Sequence, residues 1–164
     1  MEIRAYSAAD YDDWCHLFVS YFGELGVQVA EEVVRSSVCP LIAGQVTAGI
    51  VRMDLCVEGG QPIGFSIYQV DHPESDWCKK EGWGCIREFF ILPAYRRRGF
   101  GRRLAAHTEA QLAQMGATCI YLTRTDALVF WTSCGYRVDV KDEEGTYWMT
   151  KHYDLYSVIG GARP

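Results

Sequence analysis

The sequence predicts an α/β protein folded as a single domain, residues 1–164, with about seven strands and about four helices. Three observations carry this prediction. The length, 164 residues, is that of one compact domain able to bury a core. Stretches with apolar residues three and four apart alternate with short β-branched and aromatic stretches, in the order β, α, α, β, β, β, α, β, α, β, β. No linker, fixed-period repeat or low-complexity tract interrupts that order.

"EIRAY" reads as the first strand, and Ser7 followed by Asp10 resembles a helix-start box in which side chains cap exposed backbone donors. Tyr11, Trp14, Cys15, Phe18, Val19 and Phe22 then form one apolar stripe, closed by Gly23 or Gly26. A second helix, about Val29 to Val38, is expected to stop before Pro40. Strands at about Ile50 to Val57 and Ile63 to Val70 flank the turn cluster "EGGQP" and predict a hairpin. After a polar loop, "CIREFFIL" is a fourth strand ended by Pro93. Leu104, Ala105, Thr108, Leu112 and Met115 keep one face of the next helix, with Gly116 as its cap. "TCIYLT" is a fifth strand, and Asp126 to Cys134 a short helix closed by Gly135. "YRVDV" and "TYWMTKHY" pair around the acidic turn "KDEEG".

Composition narrows the functional classes. With 49% hydrophobic and 23% charged residues and a net charge of −5, the chain is an ordinary soluble globular protein without the basic surface of a general nucleic-acid binder. The acidic N-terminus does not read as a signal or transit sequence, and no apolar run approaches the ~20 residues that span a bilayer, so no membrane partner is expected. The seven cysteines are odd in number and contain no C-x-x-C pair, which fits free thiols in a reducing cytoplasm. The four histidines are scattered without metal-ligand spacing, so no metal is expected.

Against this acidic background, "AYRRRGFGRRL" concentrates five arginines between residues 96 and 103. A strand running into Pro93, a tight loop and a helix starting near Gly101 leave several N–H groups without carbonyl partners, and the helix dipole adds positive charge there. Gly99 and Gly101 permit close approach, arginines pair with phosphate oxygens in a forked geometry, and a diphosphate is the natural guest. Arginine at a helix start opposes the dipole, so a segment like this is unfavourable without an anion. A P-loop needs Lys and then Ser or Thr after its last glycine, but Arg102 and Arg103 follow Gly101. The dinucleotide fingerprint needs glycine or alanine where Leu104 stands.

The run Ile91-Leu92-Pro93-Ala94-Tyr95-Arg96-Arg97-Arg98-Gly99-Phe100-Gly101 fits V/I-x-P-x-x-R/Q-x-x-G-x-G/A without a gap. It resembles the acetyl-CoA-binding motif of the GNAT superfamily of N-acetyltransferases, and the element order is similar to that fold over nearly the whole chain. The resemblance implies a mixed, mostly antiparallel central sheet, acetyl-CoA as cosubstrate and transfer of acetyl to an amine. It implies that amides from Gly99 to Leu104, including Phe100 and Gly101, hold the pyrophosphate, with Arg96 at the motif's Arg/Gln position. It also implies that the fourth strand near Phe89 and Ile91 pairs with the pantetheine arm, beside a splayed gap toward the fifth strand. Arg98, Arg102 and Arg103 are the further phosphate candidates.

Transfer of acetyl from a thioester needs a neutral amine, oxyanion stabilisation and a departing thiol. Glu88 matches an acidic position in the "E-D-F-F-V" strand of some relatives; alternation separates it from Phe89 and Ile91, so a plain surface charge is its other reading. Cys85 and Arg87 share the parity of Ile91, where some relatives place a base, but arginine stays protonated and a buried cysteine usually packs. A second family signature appears as Arg124, Ala127, Trp131, Gly135 and Tyr136. Here Arg124 replaces an asparagine, and Trp131 replaces the tyrosine that the resemblance implies protonates sulfur. An indole N–H is no general acid, which leaves Trp131 as a pocket wall or core residue and Tyr136, Tyr121 or Tyr147 as substitutes. Glu88 and Tyr136 are the candidate catalytic residues. Asp71, Glu74, Asp76 and Glu81 beside Trp77 and Trp83 are a candidate pocket for a cationic acceptor. A small-molecule amine is the expected partner, without nucleic acid, and homodimerisation through exposed C-terminal strands stays open. A non-enzymatic CoA-binding module and a nucleic-acid binder using "RRRGFGRR" are the rival readings.

Overall fold

A computed structural model of the protein describes residues 1–26, 28–75, 78–123, 127–141 and 147–152. Seven strands, β1 (Glu2–Ala5), β2 (Arg52–Glu58), β3 (Gln61–Val70), β4 (Gly84–Ile91), β5 (Cys119–Thr123), β6 (Arg137–Lys141) and β7 (Tyr147–His152), form one sheet in the order β1-β2-β3-β4-β5-β7-β6. β1 pairs with β2, β5 with β7 and β6 with β7 in antiparallel fashion, while β4 and β5 are parallel. Parallel neighbours require a crossover connection, and α4 (Phe100–Gln114) is the helix in that connection. The mixed, mostly antiparallel sheet and the order of elements agree with the sequence-based expectation.

The helical segments are α1 (Tyr11–Glu24), the run 31–47, α4 and α5 (Leu128–Ser133). The run 31–47 corrects one boundary. It comprises α2 (Glu31–Val33), a π-helical stretch Val34–Val38 and α3 (Cys39–Thr47), so the helix continues past Pro40. Pro40 sits in the first turn of α3, and the widened π turn before it accommodates a residue that has no N–H and a ring that crowds the preceding turn. The "KDEEG" turn and Arg124 lie outside the described residues. No helix among the described residues is long and apolar enough to cross a membrane.

The residues group into two compact units, Met1–Ile67 with Glu88–Leu104, and Tyr68–Arg87 with the residues from Ala105 onward. In the first unit, the α1 stripe buries Trp14, Leu17 and Phe18 against Met53 and Leu55 of β2, Phe65 and Ile67 of β3 and Phe90 of β4. Ring centroids of Phe18 and Phe65 lie 5.5 Å apart, and those of Phe65 and Phe90 5.9 Å apart. A second cluster, Cys56, Ile63, Ile91, Phe100 and Leu104, fixes the first turn of α4 beside the end of β4. Gly59 and Gly60, with φ of 59° and 82°, supply the two left-handed residues of a type I′ hairpin turn between β2 and β3. Gly64 of β3 has no room for a side chain: a Cβ there would collide with the Phe90 carbonyl oxygen and Ile91 Cδ1.

In the second unit, β4 pairs with β5 at Gly84 opposite Ile120 and Cys85 opposite Tyr121. A Cβ on Gly84 would lie 3.0 Å from Leu112 and 3.2 Å from Ile120, so glycine lets α4 and β5 pack closely there. Lys151 Nζ, on β7, donates to Glu109 on α4 and to the Cys134 carbonyl, both at 2.8 Å. All seven cysteines are free thiols.

The start of α1 carries a pH-dependent tie. Arg4 donates to both oxygens of Asp10 at 2.8 and 2.6 Å, and Ser7 adds its backbone N–H and hydroxyl. The Arg4 contact and then the Ser7 bonds hold the Asp10 carboxyl well below the usual carboxylate range, against the opposing effect of burial. A carboxyl depressed on folding stabilises the native state above its unfolded pKa of ~3.9, and that contribution is lost as pH falls through the folded value. Urea unfolding at pH 7 and pH 3 is expected to show a smaller pH dependence for Asp10→Asn than for the wild type.

Candidate active site

At the end of β4 the chain is bent by its own residues. Leu92 N–H bonds to the Ile63 carbonyl at 2.9 Å, Pro93–Tyr95 form one 3-10 turn, and Arg96 is extended. Arg97 (φ 62°) and Gly99 (φ 87°) are both left-handed, an arrangement costly for arginine and free for glycine. Arg103 N–H bonds to the Gly99 carbonyl at 3.1 Å, so the N–H groups of Phe100, Gly101 and Arg102 precede the helix's own acceptors. Among the described residues, no atom other than those of its chain neighbours lies within 4 Å of where a Gly99 Cβ would stand, which leaves open space over this backbone. Donors without intrahelical partners, a positive dipole end and a bare surface fit a diphosphate.

The side chains divide the work. Phe100 and Leu104 are buried with Ile91, so their side chains are closed to a ligand, and of the two only Phe100 has an N–H that precedes the helix's own acceptors. The Arg98 guanidinium lies over the Tyr95 and Phe100 rings, 5.5 and 5.1 Å from their centroids. Arg102 and Arg103 are exposed. The Glu58 carboxyl, bonded to the N-terminal ammonium at 2.6 Å, is held below its usual range first by that bond and also by the fields of Arg98 and Arg103. Arg96 is exposed but engaged by the protein: Nε donates to the Ile91 carbonyl at 2.8 Å, Nη2 pairs with Glu24 of α1 at 2.6 Å, and the guanidinium lies 5.5 Å from the Phe90 centroid. It therefore braces the turn against α1.

β4 presents different chemistry on its two faces. Phe89 and Ile91 pack in the cluster that holds the start of α4. Glu88 shares the parity of Phe90, is half-buried, and accepts a hydrogen bond from the Tyr21 hydroxyl of α1. It is thus no free surface charge. Tyr21 was not singled out by the sequence, although it lies on the α1 stripe between Phe18 and Phe22; a hydroxyl on that stripe is the signal that marks it. Its ring centroid lies 5.7 Å from that of Phe90.

The remaining proton-donor candidates are in the second unit. Trp131 and Tyr136 pack edge to face at 5.1 Å, with 4% and 1% of their surface exposed. The Lys151 ammonium lies 5.6 Å from the Tyr136 centroid. Tyr121 is fully buried and donates to Asp71 Oδ2 at 2.6 Å. Burial, Cys85 and Asp71 all push the Tyr121 hydroxyl far above the usual tyrosine range, and its proton is engaged by Asp71. The Tyr147 side chain lies outside the description.

A family model described as "Acetyltransferase (GNAT) family" matches residues 12–136, which include β4, the arginine and glycine turn, and α4. The chain belongs to the GNAT family of acetyltransferases. No curated protein sequence matches it. Its structure is similar to that of the PaiA N-acetyltransferase of Thermoplasma acidophilum, solved in complex with coenzyme A, at 16% identity and a TM-score of 0.73, covering 93% of this chain and 98% of that one. It is also similar to aminoglycoside 6′-acetyltransferase type Ii, at 16% identity and a TM-score of 0.71 with full coverage of both chains. A third likeness is to ribosomal-protein-alanine N-acetyltransferase of Brucella melitensis, at 14% identity and a TM-score of 0.69, covering 93% and 100%. These likenesses show the GNAT fold.

One expectation for this GNAT acetyltransferase is corrected. Asp71 does not line an acceptor pocket: it is 2% exposed and accepts from Tyr121, from Gln69 Nε2 at 3.0 Å, and from the backbone N–H groups of Lys79 and Lys80 at 2.8 and 2.9 Å. A buried carboxylate this fully engaged organises its loop. Glu74 and Glu81 are exposed, Trp83 already carries the Lys80 ammonium 5.4 Å from its ring, and Asp76 and Trp77 lie outside the described residues. Hydrogen bonds to a charged group contribute about 1.5–3 kcal/mol each, so Asp71→Ala is expected to destabilise the protein by about 3 kcal/mol in urea unfolding. Hydrogen exchange at the Lys79 and Lys80 amides should accelerate in the same variant.

Proposed function

We propose that the protein moves acetyl from acetyl-CoA to the amine of a small molecule, with Glu88 serving the amine. The observation that carries this is β4 itself, which leads from a tethered carboxylate at Glu88 directly into the diphosphate-shaped turn at Gly99. The main-chain N–H groups of Phe100, Gly101 and Arg102, with the Arg98, Arg102 and Arg103 side chains, hold the pyrophosphate, whereas the Arg103 N–H is already used by the Gly99 carbonyl; the main chain near Phe89 and Ile91 receives the pantetheine arm. Arg96 positions that turn. The coenzyme A bound by the Thermoplasma PaiA enzyme supports the choice of cosubstrate.

Acetyl-CoA supplies the acetyl group as a thioester, a carbonyl activated for attack by nitrogen. Glu88 takes one proton from the acceptor's ammonium, directly or through water, and frees the lone pair that forms the amide bond as the carbon–sulfur bond breaks. The proton that nitrogen then loses balances the departing thiolate. A thiol of pKa ~8.5 leaves as its anion without a dedicated acid, so Trp131 in place of the family tyrosine does not bar turnover. Trp131 and Tyr136 act here as packing around the second signature.

Structural relatives act on an aminoglycoside and on ribosomal-protein alanine, so the fold does not choose between acceptor classes. The net charge of −5 and the carboxylate at Glu88 favour a cationic small amine. Free thiols support a reducing compartment, the cytoplasm.

Calorimetric titration with acetyl-CoA is expected to give micromolar binding to the wild type and none to Gly99→Glu. The substituted side chain would place a negative charge in the phosphate turn and strain its left-handed backbone. Absence of wild-type binding would sink the cosubstrate assignment. In a screen of polyamines and aminoglycosides, Glu88→Gln is expected to lower kcat/KM by about 10²-fold with acetyl-CoA binding retained, the range typical of losing a general base. Unchanged turnover would remove Glu88 from the chemistry.

A further inference from the structure

The helix α5 has little apolar contact of its own to hold it in place. Of its six residues only Trp131 is buried, while Leu128 and Val129 are 39% and 86% exposed, and a helix this short does not persist without tertiary contacts. Its C-terminal end closes in a Schellman cap. Gly135, left-handed at φ 92°, donates its N–H to the Thr132 carbonyl at 3.0 Å, and Tyr136 donates to the Trp131 carbonyl at 3.1 Å. Neither bond uses the Cys134 carbonyl, which accepts from Lys151 Nζ at 2.8 Å.

The same ammonium pairs with Glu109 of α4 at 2.8 Å and lies 5.6 Å from the Tyr136 ring centroid. The lysine stem runs beside Gly135, 3.6 Å from where a Cβ would stand, and the pairing of Lys151 with Ile120 of β5 fixes its base in the sheet. Glu109 is 8% exposed, and its Oε1 has no hydrogen-bond partner among the described residues. A buried carboxylate so sparsely satisfied depends on Lys151 for its counter-charge. One ammonium thus ties α4, β7 and α5 together within the second unit.

We propose that Lys151 is a positioning residue for acetyl-CoA: its bridge from Glu109 to the Cys134 carbonyl sets where α5, and with it Trp131 of the second signature, stands. This rests on the reading of acetyl-CoA as cosubstrate, with the second signature bordering it. Trp131 is no general acid, so its contribution is the shape of a wall, and a wall favours binding only where it is held in place beforehand.

Lys151→Met removes the ammonium, keeps most of the stem and leaves the Glu109 carboxylate buried without its cation. The double variant Lys151→Met, Glu109→Leu removes both charges, an exchange for apolar groups that is often neutral for stability, so a melting temperature near that of the wild type separates loss of the tether from loss of the fold. Should either variant fail to fold, the other carries the same comparison. Calorimetric titration with acetyl-CoA alone reads the result, because an unfolded fraction lowers the stoichiometry and leaves the Kd of the folded molecules unchanged. Kd is expected to rise about tenfold in both variants. Amide exchange at Gly135 and Tyr136 should accelerate in both, since their bonds close the cap that Lys151 holds. An unmoved Kd in a folded variant overturns the proposal even where exchange accelerates, because Lys151 would then serve the fold alone. Absence of acetyl-CoA binding by the wild type overturns the cosubstrate reading beneath it, and the exchange rates, read without any ligand, keep that failure distinct from a failure of the tether.

Discussion

Successive side chains of a strand point to opposite faces, and along β4 that alternation separates two tasks within one short segment. Phe89 and Ile91 join Phe100 and Leu104 and thereby anchor the first turn of α4. Glu88 and Phe90 turn toward α1, where the carboxylate meets Tyr21 and the ring joins the aromatic core. A slip of one residue in this strand would exchange the two sets and place the carboxylate among the apolar residues under the start of α4. Gly64 helps to hold the register, since only a residue without a side chain fits beside Phe90 and Ile91.

The turn that follows β4 is shaped before any ligand arrives. Its left-handed residues and the Arg96 bond to the Ile91 carbonyl set the direction in which the early N–H groups of α4 point. The Arg96 to Glu24 ion pair is about 40% exposed on both sides, and such pairs contribute only about 0–1 kcal/mol. Its value is geometric: it fixes where the turn sits against the last turn of α1. Preorganisation of this kind reduces the ordering that binding would otherwise require.

Buried polar groups in the second unit follow a different logic. Asp71 collects a phenol, a side-chain amide and two backbone N–H groups, which keeps a carboxylate stable at 2% exposure. A group satisfied in this way has little left to offer a substrate. Glu88 differs because it is half-buried and is the carboxylate proposed to serve the amine.

Local rules of the chain determined a great deal: which stretches form helices and strands, the turn at Gly59 and Gly60, and the run from Ile91 to Gly101 that carries the family motif. These properties depend on residues a few positions apart, so periodicity and backbone preference suffice to read them. Tertiary structure alone decided which side chain meets which. Tyr21 and Glu88 are 67 residues apart and Asp71 and Tyr121 are 50 apart, and nothing in local spacing encodes such pairs. The same reason explains why the contacts of Arg96 with Glu24 and the Ile91 carbonyl could not be read from the motif, and why Asp71, legible as a loop acid, became a buried anchor. The identity of each residue was present from the start, but its partner was set by the packing of segments distant in sequence.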